Sequence, residues 1–231
     1  MTAEFQERIR NKFPNAIEVT DESDLPIPDE MSEQFPRELV DSLAQAINRR
    51  FQFKTFDEIW TVNLTRNFVA LETSKYVNWE EFREYTQLIL SAILKSYALP
   101  FFTRIGLRYV NIIDRELLGL EQFEWSELLA GFIAGPLVLS EQLHIPEQRG
   151  SFQVEYGNPL DIVHVRHGLL TDVTNESKSV YVLDNDFFTN DETITEVDDV
   201  IGKVDGYNTQ NRRLFRSCIK DTLHTAMGPL R

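Results

Sequence analysis

Apolar residues recur along this chain in two rhythms, the helical step of three or four and the strand step of two. Residues 1–13 carry an amphipathic helical pattern that stops near Pro14. Residues 18–30 are acidic and hold Pro26 and Pro28, so charge and missing ladder donors predict a loop. Residues 32–48 return to helical spacing through Phe35, Leu39, Leu43, Ala46 and Ile47. Strand patterns follow at Arg50–Thr55, Ile59–Thr65 and Asn67–Ser74, with turns at Asp57-Glu58 and Arg66-Asn67. The clearest helix is Trp79–Tyr97. Asn78 stands at its N-cap with Glu81 three residues on, a capping box with Asn in place of Ser or Thr. Its stripe of Trp79, Phe82, Tyr85, Ile89, Ala92, Ile93 and Tyr97 predicts burial on a sheet, and Pro100 ends the connection.

Thr103–Ile113 reads as a strand. Thr103, Ile105, Leu107, Tyr109 and Asn111 point to one side; Arg104, Gly106, Arg108 and Val110 point to the other. Residues 114–146 read as short helix and loop, with apolar contacts from Phe123, Trp125, Leu128, Leu129, Phe132 and Ile133. Ser151–Tyr156, Leu160–Leu169 and Ser179–Phe187 are strand patterns. Residues 189–206 read as an acidic loop with room for one helical turn. Asn208–Met227 closes as a helix with the stripe Leu214, Phe215, Cys218, Ile219, Leu223 and Met227. The expected fold class is α+β, antiparallel sheets with helices packed on one face. One domain, 1–231, is expected. It divides into two similar strand-strand-strand-helix halves, 1–113 and 147–231, joined by the helical and loop segment 114–146. No residue-level repeat accompanies the halves.

Composition narrows the function classes. The chain has 231 residues and a net charge of −14, which argues against general affinity for nucleic acid or an anionic membrane. The apolar runs are shorter than the roughly 20 residues of a membrane helix, and the polar N-terminus lacks a signal-peptide core. The expected location is cytoplasmic. The single cysteine, Cys218, excludes an internal disulfide framework and a Cys-rich zinc site. Sixteen Phe, three Trp and seven Tyr can fill a substantial core. Phe51, Phe53, Phe56 and Trp60 could pack a sheet on its helix or line a ligand pocket.

The candidate ligand-binding residues are Arg104, Arg108, Asp184 and Asp186. Arg104 and Arg108 share one face of a strand with Gly106 between them. They could clamp a phosphate or carboxylate, with the glycine leaving room, or pair with carboxylates on neighbouring strands. Asp184 and Asp186 share a strand face and could offer oxygens to Mg²⁺ or Mn²⁺, or neutralise the two arginines across the sheet. Arginines on phosphates and aspartates on a metal would together suit a tunnel-type triphosphate enzyme, but its Glu-x-Glu-x-Lys signature is missing. His164 and His167 face opposite sides of a strand and cannot chelate one ion there. His144 and His224 stand alone. Cys218 lies on an apolar stripe and is expected to be a buried, inert thiol. No Gly-rich phosphate loop, Ser-centred elbow or His-Glu-x-x-His pattern occurs, and no catalytic residue, metal site or cofactor is expected.

The block Arg104-Ile-Gly-Leu-Arg-Tyr-Val-Asn111 resembles the core motif of a sporadically distributed family of uncharacterised prokaryotic proteins. Glu72-Thr-Ser-Lys-Tyr76 with Trp79 and Phe82 resembles its strand-to-helix segment. Val182–Phe187 resembles its late strand, and Arg213-Leu-Phe215 through Ile219-Lys-Asp221 its closing helix. Members begin with an apolar strand before the first helix, so the resemblance implies that this chain starts after it. A sheet edge would then be open or completed by a partner strand. The family's His early in the closing helix is replaced by the region of Tyr207 and Asn208. The resemblance implies no established activity; a patchy distribution fits a role in bacterial conflict. The expected function is therefore a non-enzymatic protein-binding module, antitoxin-like or defence-associated, that meets a protein partner through an acidic surface. Self-association is compatible with this. The alternative is a phosphate-ligand binder or metal-dependent phosphohydrolase built on the Arg/Asp pairs.

Overall fold

A computed structural model describes residues 2–20, 49–139, 142–156, 158–172, 175–192, 194 and 196–228. The expected helix 32–48 and most of the expected loop 18–30 lie outside the described residues. The chain is α+β, and its described residues form two antiparallel four-stranded sheets. It divides into two compact units, Met1–Leu99 and Pro100–Arg231.

The first unit holds α1 (Thr2–Ile9), β1 (Asn15–Thr20), β2 (Arg49–Lys54), β3 (Trp60–Leu64), β4 (Val69–Thr73) and α2 (Trp79–Ser96). The sheet order is β1-β2-β3-β4. Asp57 tightens the β2–β3 turn by accepting from the Thr55 hydroxyl at 2.6 Å and the Ile59 N–H at 3.2 Å. The Asn78 side chain caps α2, accepting the Glu81 N–H at 2.8 Å as the capping pattern predicts. The core joins Phe53, Trp60, Val62 and Leu64 of the sheet to Ile89, Ala92 and Ile93 of α2. Phe5, Ile9 and Phe13 close it, with Phe5 edge-on to Phe53 at 5.6 Å. β1 begins inside a stretch with no strand signal. Its residues Asn15 to Glu18 are exposed, so backbone pairing with β2, not an apolar alternation, makes it a strand.

The second unit holds β5 (Ile105–Asp114), α3 (Trp125–Leu128), α4 (Gly131–Ala134), a 3₁₀ turn (Gly135–Leu139), β6 (Gln148–Tyr156), β7 (Asn158–Asp172), β8 (Asn175–Thr189), α5 (Val197–Cys218) and α6 (Asp221–Ala226). The sheet order is β5-β8-β7-β6. β5 thus pairs with a strand far along the chain, and it belongs to this unit. Leu169, Tyr181 and Leu183 of the sheet pack with Leu128, Leu129, Ile133 and Leu137 of the short helices and with Cys218, Ile219 and Leu223.

The closing helix departs from its expected bounds. It starts at Val197, inside the acidic stretch expected to be loop, because Asp198 and Asp199 occupy its first turn, where the helix dipole favours negative charge. Val200, Ile201, Val204 and Tyr207 then bury one face. The expected single helix 208–227 is interrupted: Ile219 is extended and bridges to Leu129 before α6 begins. That bridge replaces a helical hydrogen-bonding turn with sheet-like pairing while keeping Ile219 and Leu223 in the core.

Candidate functional site

The register of the second sheet places the candidate residues. Arg166 of β7 lies opposite Asp184 of β8, and Val110 of β5 lies on the other side of Asp184. His164 and Arg108 flank Asp186 in the same way. The alternation that sends Leu107, Leu183, Val163 and Val165 into the core sends these side chains to the opposite face.

The four residues close on one another. Arg104 and Arg108 do not bond straight across the ladder; they reach diagonally. Arg104 donates to both Asp186 oxygens at 3.0 and 3.1 Å and lies 4.5 Å over the Phe188 ring. Arg108 grips Asp184 with Nε at 2.7 Å and a terminal nitrogen at 2.9 Å. Arg166 adds a third bond to Asp184, Nε to Oδ2 at 2.9 Å. The room left by Gly106 is taken by Arg104 itself, whose Nη1 lies 3.0 Å from where a Cβ would stand.

The electrostatics are uneven. The Asp184 side chain is only 10% exposed, while those of Arg108 and Arg166 are 55% and 46% exposed. Burial alone would raise the Asp184 pKa, but the bonds and charges of Arg108 and Arg166 outweigh it and hold the carboxyl below its usual range. Asp184 is therefore a fixed anion shared by two guanidiniums. Both aspartates direct oxygens at arginine, and among the described residues no three His, Cys, Asp or Glu side chains gather as a metal-ligand group.

On the core side a polar seam runs between the sheet and α5. Tyr109 donates to Asn208 at 2.9 Å, and Asn185 donates to Asn211 at 2.9 Å. Asp161 accepts from Lys203 at 3.0 Å and from Tyr207 at 2.9 Å. The Oδ1 of Asn185 is buried without a partner among the described residues. Burial, followed by the Asp161 contact, pushes the Tyr207 hydroxyl above its ordinary pKa. Tyr207 and Asn208 are both part of this seam.

Of the remaining titratable candidates, His167 and Cys218 pack inward, whereas His144 is exposed. His167 Nδ1 lies 2.7 Å from the Tyr181 hydroxyl, and burial lowers the imidazole pKa. Cys218 is buried, and burial pushes its thiol up to about 11. His164 and His167 face opposite sides as the alternation requires. In the first unit, Phe53 and Trp60 are core, whereas Phe56 is exposed at the rim of a cleft of about 500 Å³. That cleft mixes Lys12 and Lys75 with Asp57 and Glu81, and Lys12 already sits 5.7 Å over the Tyr85 ring.

Sequence reasoning did not single out Arg166, because its partnership depends on which strand lies beside β8. It also passed over Asn208 and Asn211. Their spacing with Val204 and Tyr207 places amides on the buried stripe of α5, and that was the available signal. No family model, curated protein or solved structure matches the chain. Among the described residues no helix is long and apolar enough to cross a membrane.

Proposed function

We propose that the chain is a non-enzymatic protein-binding module that presents fixed negative charge to a basic protein partner. The observation that carries this reading is where the acidic excess lies. Asp184 and Asp186 are matched by arginines, yet the chain keeps a net charge of −14. Glu192, Glu196, Asp198 and Asp199 are exposed around the start of α5, and they form no ion pair among the described residues. The mechanism is occlusion of a basic surface, with long-range attraction raising the encounter rate toward the roughly 10⁸ M⁻¹s⁻¹ of steered complexes at low salt. In a conflict setting such a module would act as an antitoxin-like or immunity-like component.

The test begins with capture from the native host, a salt-wash series and mass spectrometry, followed by association rates with the purified partner. A stoichiometric basic protein is expected. Its association rate should fall steeply with ionic strength, fall further for the Asp198→Lys, Asp199→Lys double variant, and stay unchanged for Arg108→Ala. Recovery of the chain alone, or an association rate indifferent to salt and to the charge reversal, would remove the proposal.

A further inference from the structure

The open face of the second sheet contains a second feature, set beside the Arg108–Asp184 pair. Successive rows across β6, β7 and β8 read Ser151–Arg166–Asp184, then Arg149–Gly168–Val182. In the next row Leu170 lies opposite Val180. Gly168 is thus a missing side chain in the middle of a patterned surface. The gap is obligatory, because a Cβ there would collide with the Gln148 carbonyl oxygen. A cleft of about 470 Å³ opens over it, lined by Arg149, Ser151, Arg166, Leu170, Val182 and Asp184.

The lining has two chemistries. The floor toward Leu170 and Val182 is apolar, and Leu170 is 40% exposed and lies outside this unit's core cluster. The rim is guanidinium. Arg166 reaches Asp184 through Nε alone, so among the described residues its two terminal nitrogens donate to no protein group. Arg149 bonds Glu147 through Nε at 2.6 Å, and its side chain is exposed. Asp184 is shared between Arg108 and Arg166, so its one charge is set against two cations at this edge of the cleft. A fork of free N–H donors beside an apolar floor matches an oxyanion attached to a small apolar body.

We propose that this cleft binds a small amphiphilic anion, its carboxylate or phosphate on Arg166 and Arg149 and its apolar part over Gly168, Leu170 and Val182. The proposal is independent of the protein-binding reading, since it uses the arginine face and not the acidic surface. It also differs from a phosphate clamp formed by Arg104 and Arg108, whose guanidiniums are engaged with the aspartates.

Four probes and three variants of the full chain test it by amide NMR titration and calorimetry. Phenyl phosphate and benzoate should bind saturably and shift the amides of Arg149, Gly168 and Val182; which binds tighter identifies the preferred head group. Inorganic phosphate should bind more weakly, and benzyl alcohol more weakly still. Arg149→Gln, at an exposed side chain that no core depends on, and Arg166→Gln should each weaken phenyl phosphate roughly tenfold, the loss of one charge-assisted contact. Leu170→Ala should weaken phenyl phosphate but leave inorganic phosphate unchanged. No saturation by phenyl phosphate at about 10 mM would overturn the site. So would equal binding of benzyl alcohol, or affinities untouched by both arginine variants.

Discussion

Replacing Asp184 with Asn removes the charge at the centre of the ion network while keeping nearly the same shape. In the native sheet this carboxylate receives three guanidinium bonds between 2.7 and 2.9 Å. A buried ion pair broken on one side costs about 3–5 kcal/mol. An exposed pair is worth about 0–1 kcal/mol. Asp184 is buried, but its partners are half in water and can be rehydrated once released. The expected loss therefore lies between those limits, about 1–3 kcal/mol. Because the chain has two units, a whole-chain melt would mix their transitions; amide hydrogen exchange along β8 reads this unit alone. At neutral pH the β8 amides of Asp184→Asn should exchange roughly 5- to 150-fold faster than those of the native chain.

The pH dependence gives an independent check. The folded carboxyl has its pKa held below the usual range, so its stabilising contribution is complete above the unfolded aspartate value of about 3.9. It is lost as the pH falls through the lower, folded value. The ratio of variant to native exchange rates, each corrected for intrinsic exchange at that pH, should therefore shrink toward unity in acid. A ratio within about twofold at neutral pH would refute the energetic argument. So would a ratio that persists unchanged when the carboxyl is protonated.

Two further outcomes follow from the same geometry. Asn78→Ala removes the acceptor for the Glu81 N–H and should destabilise the first unit by about 1 kcal/mol, read by amide hydrogen exchange along α2, which reports that unit without the second. Cys218 should resist iodoacetamide in the folded chain at pH 8 and react promptly in urea, because the thiol is buried and its pKa is pushed up to about 11. Labelling at equal rates in both conditions would contradict the placement of Cys218 in the core.

Much of the fold was legible where burial leaves a period in the sequence. The N-cap of α2, the two faces of β5 and the inward position of Cys218 all follow from alternation or helical spacing. β1 was silent because its exposed side chains carry no pattern, and only pairing with β2 defines it. The start of α5 was hidden by Asp198, Asp199, Gly202 and Gly206, residues that read locally as loop. At the site, shared faces were readable within each strand: Arg104 with Arg108, and Asp184 with Asp186. What alternation cannot supply is the neighbour. That β7 lies beside β8, bringing Arg166 onto Asp184, is a fact of register. The cleft over Gly168 depends on the same register, since a lone glycine in a strand does not say what surrounds it.

The pairing of β5 with β8 also sets an order of events during synthesis. Arg108 and Asp184 meet across 76 positions, whereas β7 and β8 form a local hairpin. β5 leaves the ribosome well before its ladder partner exists. At about 5–20 residues per second, it stays unpaired for several seconds, its backbone donors and the apolar residues Ile105, Leu107 and Ile113 uncovered. Arg104 and Arg108 are on that strand from the outset, and a charged strand is a poor template for pairing with another chain. The two arginines thus guard β5 against misassociation first, and settle onto Asp184 and Asp186 only when β8 arrives.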